Sequence, residues 1–392
     1  MTHRTVIVGA GIAGVSAAAA MRRTGYEGEI DLLGAEPELP YRRPPVSKEI
    51  VRGEKTPDEI RIKKPEWYEQ QSVNLRTGVT VASVDTDAHL VRLTDGEEVA
   101  YDQLLLATGG RARHPWSAAG IRTLRTLADA PDLQAELAPG HHLIVVGAGL
   151  IGSEIAASAR QMGCDVTLLE TAALPLPRLL PPELGELYVD LHKSEGTDLH
   201  TGVEVASIND EDGHTVVRAS DGRTWSAPVV VVAVGMQPNV ELAEAAGIEV
   251  ANGIVVDELG RTSAPDVFAA GDVANQPNGV LGGRHRVEHW QGSQNHGTAV
   301  GKVMAGGEDP FVEVPWCWSD QYGHNLQVTG WPEAAHELVV HGSLDDRDFI
   351  AYLLDGGIVR GAVGIGRPRD IRAAEKWIAA GQRLDYALEG GT

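Results

Sequence analysis

The sequence predicts an α/β fold built on two Rossmann-like units in tandem, and three observations predict it. First, two apolar strands run into glycine triplets: Thr5-Val6-Ile7-Val8 into Gly9-x-Gly11-x-x-Gly14, and Leu143-Ile144-Val145-Val146 into Gly147-x-Gly149-x-x-Gly152. Second, each triplet opens an alanine-rich helix and a second strand that ends in an acid, Glu36 after Ile30–Leu33 and Glu170 after Val166–Leu169. Third, each half later carries a buried-type strand ending in glycine, Leu104 to Gly109 and Val229 to Gly235. A lone triplet also fits an ordinary tight strand-to-helix turn. Two complete units, each with its acid, instead point to two nucleotides: the glycines admit a pyrophosphate to backbone N–H groups, and the acid accepts from ribose hydroxyls.

The remaining elements follow in order. Pro37 to Pro65 is rich in proline and basic residues. Val79–Val84 and Leu90–Leu93 alternate as strands, with Asp95-Gly96 as their turn. After Glu170 the pattern predicts a helix over Pro182–Ser194, alternating strands at Val203–Ile208 and Thr215–Ala219, and an Asp221-Gly222 turn. Gly253 to Val273 returns to strand character. The tail carries strands at Leu338–Val340, Phe349–Leu354 and Ile358–Val363, then a helix over Arg369–Ala380 with Ile371, Ala374, Trp377 and Ile378 on one face. Its modest apolarity suits packing better than a membrane surface.

With 392 residues, the chain exceeds a single core and predicts two or three domains. A net charge of −22 argues against nucleic acid and against an anionic membrane, although residues 42–64 carry eight basic side chains against four acidic ones. No apolar targeting core precedes the first strand, so cytoplasmic residence is expected, with no membrane attachment. Cys164 and Cys317 stand 153 positions apart and form no Cys-x-x-Cys, which argues against a dithiol relay. His285, His289 and His296 lack ligand spacing, so no metal is expected.

More specific segments are Tyr41-Arg42-Arg43-Pro44-Pro45-Val46-Ser47-Lys48, Leu104 to Gly110, Val267-Phe268-Ala269-Ala270-Gly271-Asp272-Val273 and Trp318-Ser319-Asp320-Gln321. With them the whole chain resembles the FAD-dependent NADH:ferredoxin reductases, the reductase components of Rieske oxygenase and bacterial cytochrome P450 systems. The resemblance implies a glutathione-reductase-like arrangement: a discontinuous FAD domain (1–112 and 238–312), an NADH domain (113–237) and a C-terminal α+β domain (313–392). It would place Gly9, Gly11, Ala13, Gly14 and Glu36 on the ADP half of FAD. Arg43, Lys48, Val81, Thr108, Gly109 and Arg125 would line the flavin or its phosphates, Asp272 would hold the ribitol, and Trp290 and Trp318 would lie near the isoalloxazine. Gly147, Gly149, Ile151, Gly152, Glu170 and Gly235 would serve NADH, with Glu154 at the carboxamide and Lys48 on the flavin N5 side. Lys48, Glu154 and Trp318 would be the residues nearest the chemistry.

Read without the resemblance, several of these residues have plainer uses. Lys48 is a solvated cation, Glu154 a favourable acid at a helix opening, Asp272 an Asx turn, and Trp316 with Trp318 a core pair on one strand face. The sequence departs from the family pattern at Val46 (usually leucine), Cys317 (often aromatic) and Gly366 (usually asparagine). Glu170 is followed by no arginine until Arg178, which favours NADH over NADPH because a carboxylate repels a 2′-phosphate.

The resemblance implies hydride transfer from NADH to FAD, then single electrons to a [2Fe-2S] ferredoxin that serves a P450 or Rieske oxygenase. Rubredoxin, a nitrite-reductase partner and quinone are the alternative acceptors. A redox-gated FAD/NADH binding module is the alternative from another class.

Overall fold

The computed structural model describes residues 3–331 and 335–385. The chain divides into two compact units. The first comprises Met1–Arg42, Pro57–Arg111 and Gln237–Pro315; the second comprises Arg43–Thr56, Ala112–Met236 and Trp316–Thr392.

The first unit is centred on a parallel sheet in the order Val267–Ala269, Gln103–Leu106, Arg4–Val8, Glu29–Leu33, Val73–Arg76. Its central strands are covered on both faces, which is why they read as unbroken apolar runs: Val6, Ile7, Leu104, Leu105 and Leu106 are fully buried. On one face lie the first glycine helix, Ile12–Arg23, and the helix Trp290–Met304. Glycine lets these two helices touch. A Cβ on Gly297 would sit 2.2 Å from the carbonyl oxygen of Ala13, and one on Gly301 would sit 2.4 Å from that of Ala17. The other face carries a core that includes Val84, Val91 and Val99 of the antiparallel strands Val81–Asp85, Leu90–Leu93 and Glu98–Ala100.

The second unit repeats this grammar. Its parallel sheet runs Asp198–His200, Asp165–Leu169, His142–Val146, Val229–Val232, Ile121–Arg122. The second glycine helix, Leu150–Gln161, follows the central strand. Antiparallel strands Val205–Glu211, His214–Ala219 and Thr224–Ala227 form the small sheet equivalent to the one in the first unit.

Within the same unit the C-terminal segment forms a five-stranded antiparallel sheet, in the order Trp316–Gln321, His324–Gly330, Ile358–Ile365, Asp348–Asp355, Glu337–Ser343. The amphipathic helix Pro368–Ala379 buries Ile371, Ala374 and Ile378 and meets strands of this sheet. The predicted helix at Pro182–Ser194 packs Leu184, Tyr188 and Leu191 into one apolar cluster with Cys317, Val328 and Phe349. Gly366, where the resemblance leads one to expect asparagine, sits at φ +73°, a conformation that glycine and asparagine adopt more readily than other residues.

The expected strand character of Gly253 to Val273 is confined to two short pieces, Ile254–Val255 and Val267–Ala269. The intervening chain turns at Gly260 (φ +76°) and Asp266 (φ +58°), and Asp257 caps the N–H groups of Leu259 and Arg261. Among the described residues, no helix is long and apolar enough to cross a membrane.

Candidate functional site

Each glycine triplet divides its labour in the same way. Gly9 (φ +114°) and Gly14 are required by the protein itself: a Cβ on either would stand 2.1 Å from a backbone oxygen, of Ala107 and of Gly9 respectively. Gly147 (φ +102°) and Gly152 repeat this, 2.5 Å from the oxygen of Ala233 and 1.8 Å from that of Gly147. The middle glycines differ. A Cβ on Gly11 or Gly149 would meet nothing within 4 Å. Both are helix N-caps in extended conformation with no side-chain cap. Helix-end N–H groups therefore face open space at both turns, and a pyrophosphate fits there by charge and by shape. The residues fit two dinucleotides.

The first unit gathers further predicted residues around its turn. Gly271 (φ +80°) approaches Ala13, since a Cβ there would lie 2.8 Å from that of Ala13. Next to it, the half-buried Asp272 accepts from Ser293 Oγ at 2.5 Å. The backbone N–H of Gly271 donates to His296 Nδ1 at 3.2 Å, so this ring acts as a neutral acceptor. Burial pushes its pKa down to about 3, and the ring stacks on Phe311. Thr108 and Gly109 end their strand against Asn239: Thr108 Oγ1 donates to its carbonyl at 2.8 Å, and its N–H donates to Gly109. Glu36 is bound by the Tyr41 hydroxyl. Trp290 opens the helix that packs on the first glycine helix. Val81 lies apart, half-buried against the cluster of Val6 and Val8.

In the second unit, Glu170 folds back on its own turn, accepting from Ala148 N at 2.6 Å and Ala172 N at 2.8 Å. Each oxygen keeps further lone-pair capacity for a ribose. Ile151 is 43% exposed beside the turn, one of two large exposed apolar side chains among the described residues. Gly235 adopts φ +102° and accepts from the N–H of Arg113. Arg43 Nη1 donates to the carbonyl of Arg125 at 2.7 Å, bringing those two predicted residues together.

The most concentrated chemistry of this unit surrounds Glu154. Lys48 Nζ lies 2.8 Å from Glu154 Oε2, Ser47 Oγ donates to the same oxygen, and Ser319 Oγ donates to Oε1 at 2.8 Å. Lys48, Glu154, Ser47 and Ser319 are all buried. The strand Trp316–Gln321 supplies Ser319 by alternation: Cys317, Ser319 and Gln321 face inward, while Trp316 and Trp318 share the other face and stack at 5.1 Å. Burial, then the nearby Glu154 charge, push the Cys317 thiol up to about 12, so it is no thiolate. Sequence reasoning gave no role to Ser47 or Ser319, although both stand inside the quoted motifs. A hydroxyl next to each expected site residue was the available signal.

Comparison with known proteins shows the family. Residues 3–297 match the pyridine nucleotide-disulphide oxidoreductase family and residues 316–389 match a reductase C-terminal family. The chain is 39% identical to the ferredoxin–NAD(+) reductase component of the anthranilate 1,2-dioxygenase system of Burkholderia cepacia, over 97% of this chain and 95% of that protein. It is 36% identical to putidaredoxin reductase of Pseudomonas putida, over 95% and 91%. The crystal structure of a covalent putidaredoxin reductase–putidaredoxin complex superposes with a TM-score of 0.94 at 32% identity, covering 99% of both chains. By motif, fold and sequence alike, the chain belongs to the pyridine nucleotide-disulphide oxidoreductase family, within its ferredoxin–NAD(+) reductase branch.

Proposed function

We propose that this protein is an FAD-dependent NADH:ferredoxin reductase that supplies single electrons to a [2Fe-2S] ferredoxin, which in turn serves a Rieske oxygenase or cytochrome P450. The observation that carries the reading is the pair of open glycine cradles, one in each unit, at Gly11 and Gly149. FAD, when bound, accepts a hydride from NADH and gives up its electrons one at a time.

In the first unit, Gly9, Gly11, Ala13 and Gly14 receive the FAD pyrophosphate, Glu36 its adenosine ribose, and Asp272 the ribitol hydroxyls. Thr108, Gly109, Val81 and Trp290 are assigned to the flavin. In the second unit, Gly147, Gly149, Ile151, Gly152 and Gly235 receive NADH. Glu170, already ordered by two backbone N–H groups, accepts from the free 2′-hydroxyl and repels a 2′-phosphate. Arg43, Arg125, Lys48 and Trp318 are assigned to the flavin and its phosphates on the Tyr41–Lys48 and Trp318–Gln321 motifs. Glu154 is assigned to the nicotinamide carboxamide, and its bond to Lys48 fixes where that cation stands.

No side chain of the chain need act as a nucleophile or a general base in the hydride step, and the two cysteines are free, buried and unpaired. Electrons therefore leave without a protein disulfide. Those reduced thiols, together with the use of NADH, support a cytoplasmic location.

The test is cytochrome c reduction by the purified flavoprotein, with NADH or NADPH, in the presence and absence of a small [2Fe-2S] ferredoxin. Strong stimulation by ferredoxin with NADH is expected. Rapid reduction of the flavin with no stimulation by any of several ferredoxins would assign the electrons to a different acceptor.

A further inference from the structure

Behind Glu154 the second unit holds a line of buried polar side chains that the proposed reaction does not use. Ser319 donates to Glu154 at 2.8 Å, and Gln321 Nε2 donates to Ser319 Oγ at 3.0 Å. Further along, His192 Nδ1 lies 3.0 Å from Tyr322 Oη, and Thr197 Oγ1 lies 2.8 Å from that same oxygen. His192 and Ser319 are fully buried, Gln321 and Thr197 nearly so. Between the two runs, the Gln321 side chain and the His192 ring are near neighbours. Gln321 Oε1 and His192 Nε2 are both buried, and neither has a hydrogen-bond partner among the described residues.

Pairing these two orphaned atoms with each other satisfies both, as buried polar groups require, and the direction of every proton then follows by elimination. An ionised carboxylate only accepts, so Ser319 must donate to it. A hydroxyl has one hydrogen, so Gln321 turns its amino group to Ser319 and its carbonyl to the imidazole. A carbonyl only accepts, so His192 carries its proton on Nε2. Its Nδ1 then accepts from Tyr322, whose single hydrogen is thereby committed, and Tyr322 accepts from Thr197.

We infer that Thr197, Tyr322, His192, Gln321 and Ser319 form one hydrogen-bond chain in which every member donates towards Glu154. They are positioning residues that hold its carboxylate fixed against Lys48. Aligned donors polarise one another, so the chain delivers more to the carboxylate than the last hydroxyl alone. Burial lowers the His192 pKa to about 4, which keeps the ring in the neutral form that the chain requires. The catalytic consequence rests on the proposed role of Glu154; the chain itself does not.

The first experiment reads the ring directly. The flavoprotein, ¹⁵N-labelled at histidine and free of NADH and ferredoxin, is followed by long-range ¹H–¹⁵N correlation from about pH 5 to 8. The His192 ring, identified by loss of its signals in His192→Gln or by movement of its Nδ1 signal in Tyr322→Phe, is expected to stay neutral with the proton on Nε2. A proton on Nδ1, or a ring that titrates near its ordinary pKa of about 6.5, overturns the chain.

The second experiment reads the positioning. Ser319→Ala should slow flavin reduction by NADH about tenfold, the worth of a hydrogen bond to a charged group, while Ser319→Thr stays within about twofold of the native rate. Native behaviour in Ser319→Ala, or equal loss in both variants, overturns the positioning role. The ring measurement needs neither NADH nor an acceptor, so it stands even if the proposed function fails.

Discussion

Lys48 Nζ lies 2.8 Å from Glu154 Oε2, and neither residue exposes more than 6% of its surface. Two hydroxyls, from Ser47 and Ser319, complete the coordination of the carboxylate. Burying both ions is costly, and the cost is offset only while every partner is present. The plain readings of Lys48 as a solvated cation and Glu154 as a helix-opening acid therefore do not describe them.

Removing one partner strands the other charge. Lys48→Met should destabilise the second unit by about 3–5 kcal/mol, whereas Lys48→Met with Glu154→Leu should recover most of that loss. Urea unfolding of the two variants and the native protein checks this. Equal destabilisation by the single and double changes would show that Lys48 contributes packing and not charge compensation.

The three glycines of the first triplet should separate by function. Gly14→Ala drives a Cβ to about 2 Å from the Gly9 carbonyl and should destabilise the apoprotein by about 1–3 kcal/mol. Gly11→Ala meets nothing, so the apoprotein should keep its melting temperature while FAD retention on dilution falls. Calorimetry of apoprotein and holoprotein distinguishes the two variants. A Gly11→Ala protein that holds FAD as tightly as the native one would remove Gly11 from the cradle.

The local parts of this architecture were legible in the sequence because they follow from short-range periodicity. The helix Pro182–Ser194 begins at a proline and ends before a glycine at φ +82°, both readable signals. The glycine triplets likewise announce both turns. The surroundings of Glu154 were not legible, since Ser47 lies 107 positions away and Ser319 lies 165 away. Their meeting depends on tertiary contacts of the second glycine helix with the turn Pro44–Ser47 and with the strand Trp316–Gln321, which no window of sequence encodes. The strand character expected over Gly253 to Val273 is confined to two short pieces, because the chain turns at positive φ at Gly260 and Asp266 between them.

Two buried imidazoles should make the protein sensitive to acid. His296, which accepts from the Gly271 N–H, has its pKa lowered to about 3 by burial, and His192 has its lowered to about 4. Unfolded histidine titrates near 6.5, so between that value and the folded pKa the unfolded chain binds the extra proton. The stability from keeping these rings neutral is therefore complete above about pH 6.5 and is lost as pH falls towards 4 and then 3. Each ring contributes a slope approaching 1.4 kcal/mol per pH unit across that window, to order of magnitude. His296→Gln retains an acceptor for Gly271 but has no proton to take up. Its stability, measured by urea unfolding from pH 7 to 4, should therefore decline less steeply than that of the native protein. Parallel declines in the two proteins would mean that His296 is protonated in the fold or reached by water, and the turn that carries Asp272 would then need another support.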